Sequence, residues 1–431
     1  MKFQVPRGTR DILPPDSERW AEMEEQARRI LGSYGYREVR TPIFEATELF
    51  VRGVGESTDI VRKELYTFQD RKGRSLTLRP EGTAPLVRAY LESAPLRQET
   101  PARLSYLGPM FRYERPQAGR YRQFWQIGAE LLGSKEPTAD AEMIDLFVSI
   151  MRAVGLPNVK VLLNSLGDGA CRPVYREQVR DYFGRHLDRL CEDDRERFTS
   201  NPLRILDCKI PACQPVLAGA PSVLDALCDD CRSHFAAVQE ALRLLGIEVE
   251  VAPRLVRGLD YYTRTVFEVH ASNLGAQSAV GGGGRYDQLV QELGGSETPS
   301  IGFSIGTDRL LLATGTARPE AALAEPDAYI VARQPEAATE ALTAARALRG
   351  ILDPGEGRPL RVMTDVQGRS ASSQMKVASR VGARHVVFVP RDAEGFAVRD
   401  MVLGKDEMKQ PDLDTLRTWL RARRAAGGGS R

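Results

Sequence analysis

The sequence predicts an α+β fold: a mixed, largely antiparallel sheet with flanking helices, a helical insertion, and a C-terminal α/β domain. Three observations carry that prediction. Strand-like runs at 75–78, 106–113, 125–132 and 159–164 lie far apart in the chain, and two of them face each other across a polar loop, as a hairpin would. From residue 168 to 246 strand signals give way to amphipathic helical spacing, and strand character returns afterwards, so this block reads as an insertion. Beyond a stretch rich in Ala, Pro, Gly and Glu at 314–327, strands and helices alternate regularly in a compact unit.

Taken in order, Ser17 caps a first helix whose apolar positions Trp20, Met23, Ala27, Ile30 and Leu31 recur at helical spacing, closed by Gly32 and Gly35. Glu38–Glu45 reads as one strand, and Pro42 within it suits an edge or a bulge. The insertion holds helical segments at Arg172–Leu190 and Pro221–Leu245, with strands following at Glu248–Val251 and Arg264–Val269. Past the linker, Tyr329–Val331, Leu360–Met363, His385–Val389 and Val398–Val402 read as strands. Glu336–Leu352, Ser370–Val381 and Asp412–Arg424 read as helices. The expected division is 1–325, 326–424, and a Gly-rich tail from 425 to 431 expected to be disordered.

The totals narrow the function classes. At 431 residues each of two or three domains can bury its own core, and 42% apolar with 27% charged residues is ordinary for a globular chain. The 60 Lys+Arg nearly balance the 58 Asp+Glu, so overall charge does not mark a nucleic-acid binder, although local basic surface remains available. The first residues lack the apolar core of a secretion signal, no run is long enough to span a bilayer, and six Cys in a chain this long do not form a disulfide scaffold. A cytoplasmic protein is expected. Four His, none in an HExxH pattern, argue against a His-metal hydrolase.

Five segments carry chemistry. In 254–268, Arg257 beside Gly258 can bring a planar cation to a phosphate or carboxylate, and Tyr261 and Tyr262 place hydroxyls and ring surface on opposite sides of an extended segment. In 111–130 a loop with Pro116 and Gly119 gathers Arg112, Glu114, Arg115, Gln117, Arg120 and Arg122. Arginine at the base of such a hairpin clamps phosphate in bidentate fashion, while Arg and Gln at its tip suit a nucleic-acid end. Period-two alternation then puts Gln126, Gly128 and Glu130 on one face of the far strand. The other three are Arg79-Pro80-Glu81-Gly82-Thr83, the glycine run 281–284 leading into Arg285-Tyr286-Asp287, and the strand-to-helix stretch Pro299–Leu310 with Asp308-Arg309. The glycine run fails the dinucleotide spacing, because Tyr286 stands where a third Gly is needed, and more simply lets backbone pass close to a ligand. Singly, each segment also fits a solvated hairpin, a surface turn or a strand edge.

Together they resemble the histidyl-tRNA synthetase family. Val39-Arg40-Thr41-Pro42 resembles motif 1 of class II aminoacyl-tRNA synthetases, 111–130 motif 2 in its histidyl variant, and 299–310 motif 3, with Asp308 where many members carry Glu. The resemblance runs nearly end to end and implies a class II antiparallel sheet and a C-terminal anticodon-binding domain. It implies that Glu81, Gly82, Thr83 and Gln126 hold the α-amino end of L-histidine, and that Glu130 and Tyr262 bond the two imidazole nitrogens, with Tyr261 and Tyr286 lining the pocket. Arg112 and Arg257 would hold the ATP α-phosphate as the catalytic cations. Arg309, with Glu114, Arg120 and Mg²⁺, would serve the rest of the nucleotide, and Arg115, Gln117 and Arg120 would meet the acceptor end of histidine tRNA. Motif 1 implies a homodimer. The alternative is the non-charging, histidine-sensing regulatory subunit of ATP phosphoribosyltransferase, which typically lacks the C-terminal domain and has degraded ATP contacts.

The cysteines stand apart from this scheme. Cys208-x₄-Cys213 and Cys228-x₂-Cys231 have the spacing of a Cys₄ zinc site, which would leave Cys171 and Cys191 outside it. Zinc is not a general feature of the family, and buried thiols are common, so no metal is expected there.

Overall fold

The computed structural model describes every residue except 1–2, 57, 118, 209, 258, 260, 272–277, 316–324, 351–358, 393, 407–408 and 428–431. The chain separates into two compact units. One takes residues up to 13 and 19–317, the other 14–18 and residues from 318 onward.

Among the described residues the first unit contains eleven strands in two sheets. In chain order they are β1 (Arg37–Glu38), β2 (Phe44–Ala46), β3 (Tyr66–Gln69), β4 (Ser75–Leu78), β5 (Ala102–Phe111) and β6 (Gln123–Leu132). Then follow β7 (Val159–Ser165), β8 (Val249–Val251), β9 (Thr263–Ala271), β10 (Ala279–Arg285) and β11 (Ser300–Gly306). The large sheet runs β1-β5-β6-β11-β10-β9-β7-β8 and is antiparallel except at its two edges, where β1 pairs with β5 and β8 with β7 in parallel. The strand expected over 38–45 is in fact two. Pro42 interrupts the ladder, so β1 joins the large sheet while β2 joins a separate three-stranded sheet with β4 and β3. The insertion's first long helix stops at Gly184 and its last begins at Asp229, with short 3₁₀ turns in the stretches expected to be helical.

The pleat assigns the two faces of the large sheet different tasks. Ile127, Ala129 and Leu131 of β6, Ile301, Phe303 and Ile305 of β11, and Phe267 and Val269 of β9 all point to one side. There they meet the helices Asp16–Ser33, Pro137–Ala153 and Asp229–Leu244, through Trp20, Met23, Leu31, Phe147, Val238 and Leu242. Phe147 is the hub, with its ring edge-on to Phe303 at 5.0 Å and to Phe267 at 5.9 Å. The opposite face is left for the site.

One buried ionic cluster ties helices to sheet. Asp140 and Arg285 are both fully buried, and Arg285 Nε donates to Asp140 Oδ1 at 3.1 Å while His234 Nε2 lies 2.8 Å from Oδ2. Arg285 Nη1 also donates to the Ser134 carbonyl at 2.7 Å and to Asp287 Oδ1 at 3.1 Å, so the guanidinium is well satisfied. Burial opposes ionisation of Asp140, but Arg285 and His234 hold its carboxyl below the usual range. Replacing Asp140 by Ala strands Arg285 in the interior and is expected to cost about 3–5 kcal/mol in denaturant unfolding. Because the folded-state pKa is depressed, this stabilisation is present above the unfolded value and lost as pH falls through the folded one. The variant therefore closes the gap to the parent only in acid.

The second unit is a five-stranded sheet in the order β13-β12-β14-β15-β16, formed by β12 (Ala328–Ala332), β13 (Val362–Thr364), β14 (His385–Asp392), β15 (Gly395–Asp400) and β16 (Lys405–Asp406). Strands β13, β12 and β14 are parallel, and the helices Ala338–Arg349 and Leu413–Gly427 bury Ala341, Ala345, Leu348, Leu416 and Leu420 against it. The helix Ala371–Arg380 opens with Ser370 as its cap. The last helix runs to Gly427, past the expected stop at Arg424. Most of the expected linker, and the last four residues of the tail, lie outside the described residues.

Candidate active site

Facing away from the helices, β5, β6, β9, β10 and β11 form the floor of a cavity of about 430 Å³. Its walls bring together eleven of the residues singled out by the sequence: Glu81, Thr83, Arg112, Glu114, Arg120, Gln126, Arg257, Tyr261, Tyr262, Tyr286 and Arg309. They arrive from all five of the separated segments, and the topology that gathers them is the antiparallel order of the sheet.

At the buried end sits Glu130, fully inaccessible on β6. Thr83 Oγ1 donates to its Oε1 at 2.7 Å, and the Tyr286 hydroxyl donates to Oε2. Burial outweighs both donors and pushes the carboxyl up to about 8. Opposite Glu130 in the ladder lies Gly302, where a Cβ would come within 1.5 Å of Oε2, so only glycine leaves room for this carboxylate. Glu81, just ahead of the helix Thr83–Glu92, accepts from the backbone N–H groups of Thr83 at 2.7 Å and Ala84 at 2.9 Å. Burial still raises it above the ordinary range. Glu81 lines the cavity, whereas Glu130 does not line it itself but is hydrogen-bonded to Thr83 and Tyr286, which do.

Between and above them are aromatic rings. Tyr261 lies 4.7 Å from Tyr262 and 5.5 Å from Tyr286, centroid to centroid. Opposite orientations were expected for the adjacent tyrosines, yet both line the cavity. The reason is local: β9 begins only at Thr263, so strand alternation does not govern 261 and 262. Gly258 and Asp260 lie outside the described residues. Gly82 does not reach the cavity; with Gly128 it clears space for the ring of Tyr106, which a Cβ at either position would meet at 2.2 Å.

The open end is cationic. Arg112 follows β5, donates through Nε to the Pro80 carbonyl at 2.9 Å and lies 5.2 Å over the Phe124 ring. Arg257 Nη1 donates to Glu268 Oε2 at 2.8 Å. Burial opposes the Arg257 charge, but Tyr262 and Glu268 more than offset it, so the cation is held firmly. Arg309, opening the helix Thr307–Ala313, is pushed down by burial and by the like charge of Arg120. Arg120 is 3.8 Å from Glu114. Two neighbouring cations that repel each other are stabilised by a polyanion arriving between them. Arg115 and Gln117 stay exposed on the loop between β5 and β6, outside the cavity walls.

Some of the walls were not singled out by sequence. Tyr106, Glu268 and Ser304 line the floor, and Asp59, Glu64 and Arg204 the rim. For Glu268 and Ser304 a signal was available, since alternation places both on the site face, Glu268 opposite Gly282 and Gly282 opposite Ser304. The glycine run itself is the central strand β10. At Gly282 and Gly284 a Cβ would meet Arg257 Nη1 and the Tyr262 ring at 2.9 Å, so these two glycines clear space for site side chains, while Gly281 itself lines the cavity. The Gln126 Oε1, Tyr106 hydroxyl and Arg257 Nε atoms are buried and have no hydrogen-bond partner among the described residues. All three belong to cavity residues, as in a site that awaits polar ligand atoms. The four cysteines of the spacing-based zinc set are not gathered. Cys208 and Cys213 sit with Cys191 and Asp194, while Cys228 and Cys231 sit with Cys171 and Asp168.

An antiparallel sheet that sets an arginine after one hairpin strand, another at the helix following the last strand, and an amino-acid-sized polar pocket between them has the architecture of a class II aminoacyl-tRNA synthetase. A family model described as histidyl-tRNA synthetase matches residues 8–167 and 205–310. Histidine–tRNA ligase of Halothermothrix orenii is 50% identical over 390 residues, covering 90% of this chain and 91% of the relative. That of Pelotomaculum thermopropionicum is 47% identical over 427 residues, covering 96% and 97%. The crystal structure of apo S. aureus histidyl-tRNA synthetase superposes with a TM-score of 0.78 at 35% identity, covering 97% of this chain and all of that one. The chain belongs to the histidyl-tRNA synthetase family.

Proposed function

We propose that this cavity binds L-histidine and ATP together, forms histidyl-adenylate, and passes the histidyl group to the 3′-terminal ribose of histidine tRNA. The observation that carries the reading is the junction, within one cavity, of a Glu81–Thr83–tyrosine pocket, with Glu130 hydrogen-bonded behind it to Thr83 and Tyr286, and the Arg112–Arg257–Arg309 group. In this reading the histidine ammonium rests against Glu81, Thr83 and Gln126, and the imidazole between Glu130 and Tyr262. A ring with two nitrogens needs two polar partners, and a buried site that supplies both rejects apolar isosteres by about 10⁴-fold.

A carboxylate oxygen of histidine attacks the α-phosphorus, the bond to the β-phosphate oxygen breaks, and pyrophosphate leaves. Arg112 and Arg257 flank the α-phosphate and stabilise the charge that spreads over its oxygens, while Arg309 and Arg120 hold the β/γ end. Mg²⁺ would enter with the phosphates; Glu114 and Glu268 are hard oxygen donors on the wall that fit it, and the ion supplies charge neutralisation. In the second step a ribose hydroxyl attacks the carbonyl carbon and AMP leaves, with Arg115 and Gln117 against the acceptor end.

The same reading assigns the second unit, from 326 to 424, to the anticodon, places the protein in the cytoplasm, and makes it a homodimer through the motif 1 segment. Ile43 and Phe44 beside that segment are exposed apolar side chains, as a covered interface requires. Among the described residues no helix is long and apolar enough to cross a membrane. The regulatory-subunit alternative is disfavoured by the ligase relatives and by the intact arginine group.

Histidine-dependent exchange of pyrophosphate into ATP is the test. Exchange that requires histidine is expected, and histidine binding without exchange would overturn the reading.

A further inference from the structure

The insertion between β7 and β8 contains all six cysteines, every one a free thiol. They do not scatter. Asp168, Cys171, Cys228 and Cys231 form one group, and Cys191, Asp194, Cys208 and Cys213 another, with the ligand atoms of each group within 4.8 Å of one another. A tetrahedral zinc ion with Zn–S bonds of about 2.3 Å brings its sulfurs to about 3.8 Å apart. Cys191 Sγ and Cys208 Sγ are 4.0 Å apart.

The carboxylates point the same way. Asp194 is fully buried; its Oδ1 accepts from Arg197 at 3.0 Å, its Oδ2 has no hydrogen-bond partner among the described residues, and one of its carboxylate oxygens lies within 4.8 Å of three sulfurs. A buried carboxylate oxygen without a donor is costly, and a metal ion removes that cost. Asp168 is oriented by the N–H of Ala170 at 3.0 Å and by Arg264 at 3.2 Å. Backbone N–H groups also approach sulfur, Cys191 N to Cys213 Sγ at 3.3 Å and Cys228 N to Cys171 Sγ at 3.1 Å, which is how metal-bound thiolates are supported. Each group draws one chelating pair from each of two distant segments: Asp168-x₂-Cys171 with Cys228-x₂-Cys231, and Cys191-x₂-Asp194 with Cys208-x₄-Cys213. Four protein ligands leave no open position, so the chemistry is structural. The surrounding segment is rich in short 3₁₀ turns, at Leu187–Arg189, Pro202–Asp207, Pro211–Cys213 and Val223–Ala226, where a small loop-rich module gains from staples.

We propose that the insertion binds two structural zinc ions, each held by three cysteine thiolates and one aspartate. The first clips the start of the insertion to its last helix, and the second clips its middle.

Elemental analysis of the full chain, purified without chelator, is expected to give two zinc ions per chain. Cys231→Ser and Cys213→Ser should each reduce this to one. X-ray absorption at the zinc edge should show three sulfurs at about 2.3 Å and one oxygen at about 2.0 Å. Should either variant fail to fold, cobalt added to the reduced, metal-stripped parent gives a second readout, with thiolate-to-cobalt charge-transfer and tetrahedral d–d absorption rising to two equivalents. Zinc near zero with no such cobalt absorption overturns the proposal, and so does iron with sulfide in place of zinc. One ion per chain overturns whichever site's variant leaves it in place.

Discussion

Arg257→Ala is expected to lower histidine-dependent pyrophosphate exchange by about 10³-fold, the scale set by removing a cation that acts on a phosphoryl transition state. Histidine affinity, measured by equilibrium dialysis, should change by less than about tenfold, worth 1.4 kcal/mol. The split follows from geometry. Arg257 belongs to the cationic end of the cavity and is held by Glu268 at 2.8 Å, whereas Thr83 and Tyr286 hold Glu130 without it. Truncation therefore leaves the buried end satisfied and removes charge only where pyrophosphate departs. Unchanged exchange would refute the role given to Arg257, and lost histidine binding would show that it acts in the amino-acid pocket instead.

Glu130→Gln is expected to act by a different route. Thr83 and Tyr286 both donate to the carboxylate, and a glutamine amide places a donor against one of them. In the proposed binding mode the imidazole also loses the carboxyl assigned to one of its nitrogens. A buried donor left unpaired amounts to about 1–3 kcal/mol, so kcat/KM for histidine should fall by about 10-fold to 10²-fold. Stability carries an independent signature. Burial raises the Glu130 carboxyl from 4.5 to about 8 in the folded chain, so the folded state holds a proton that the unfolded chain gives up. The sign is therefore a stability contribution present below the unfolded value and lost as pH rises through about 8, with a slope of at most about 1.4 kcal/mol per pH unit. Glutamine has nothing to ionise. Urea midpoints at a series of pH values across this window should flatten in the variant, and an unchanged slope would remove Glu130 as the source.

Much of this was legible in the sequence, for reasons that differ by residue. Side chains of a strand point alternately to its two faces, so Gln126 and Glu130 could be placed on one face and Ile127 and Leu131 on the other before any fold was known. The final α/β unit was legible because its helices carry apolar stripes, one of them also a cap in Ser370 ahead of Ala371–Arg380. The tyrosine pair was not, because 261 and 262 precede their strand and their orientation is set by packing against Tyr286. Nor was the partnership of Arg285 with Asp140, which joins residues 145 positions apart. The cysteines failed instructively. Spacing identifies chelating pairs but not which pairs meet, and a count of cysteines alone passes over the aspartate that completes each group.

The two-faced sheet has a consequence for translational accuracy. Because β6 carries the core on its odd residues and the site on its even ones, a strand paired one residue out of register exchanges Glu130 for Leu131 and drives the carboxylate into the apolar layer around Phe147. Such a molecule is too unstable to persist. A pairing error of this kind therefore lowers the amount of enzyme without producing one that attaches the wrong amino acid, and fidelity is protected at the moment of folding.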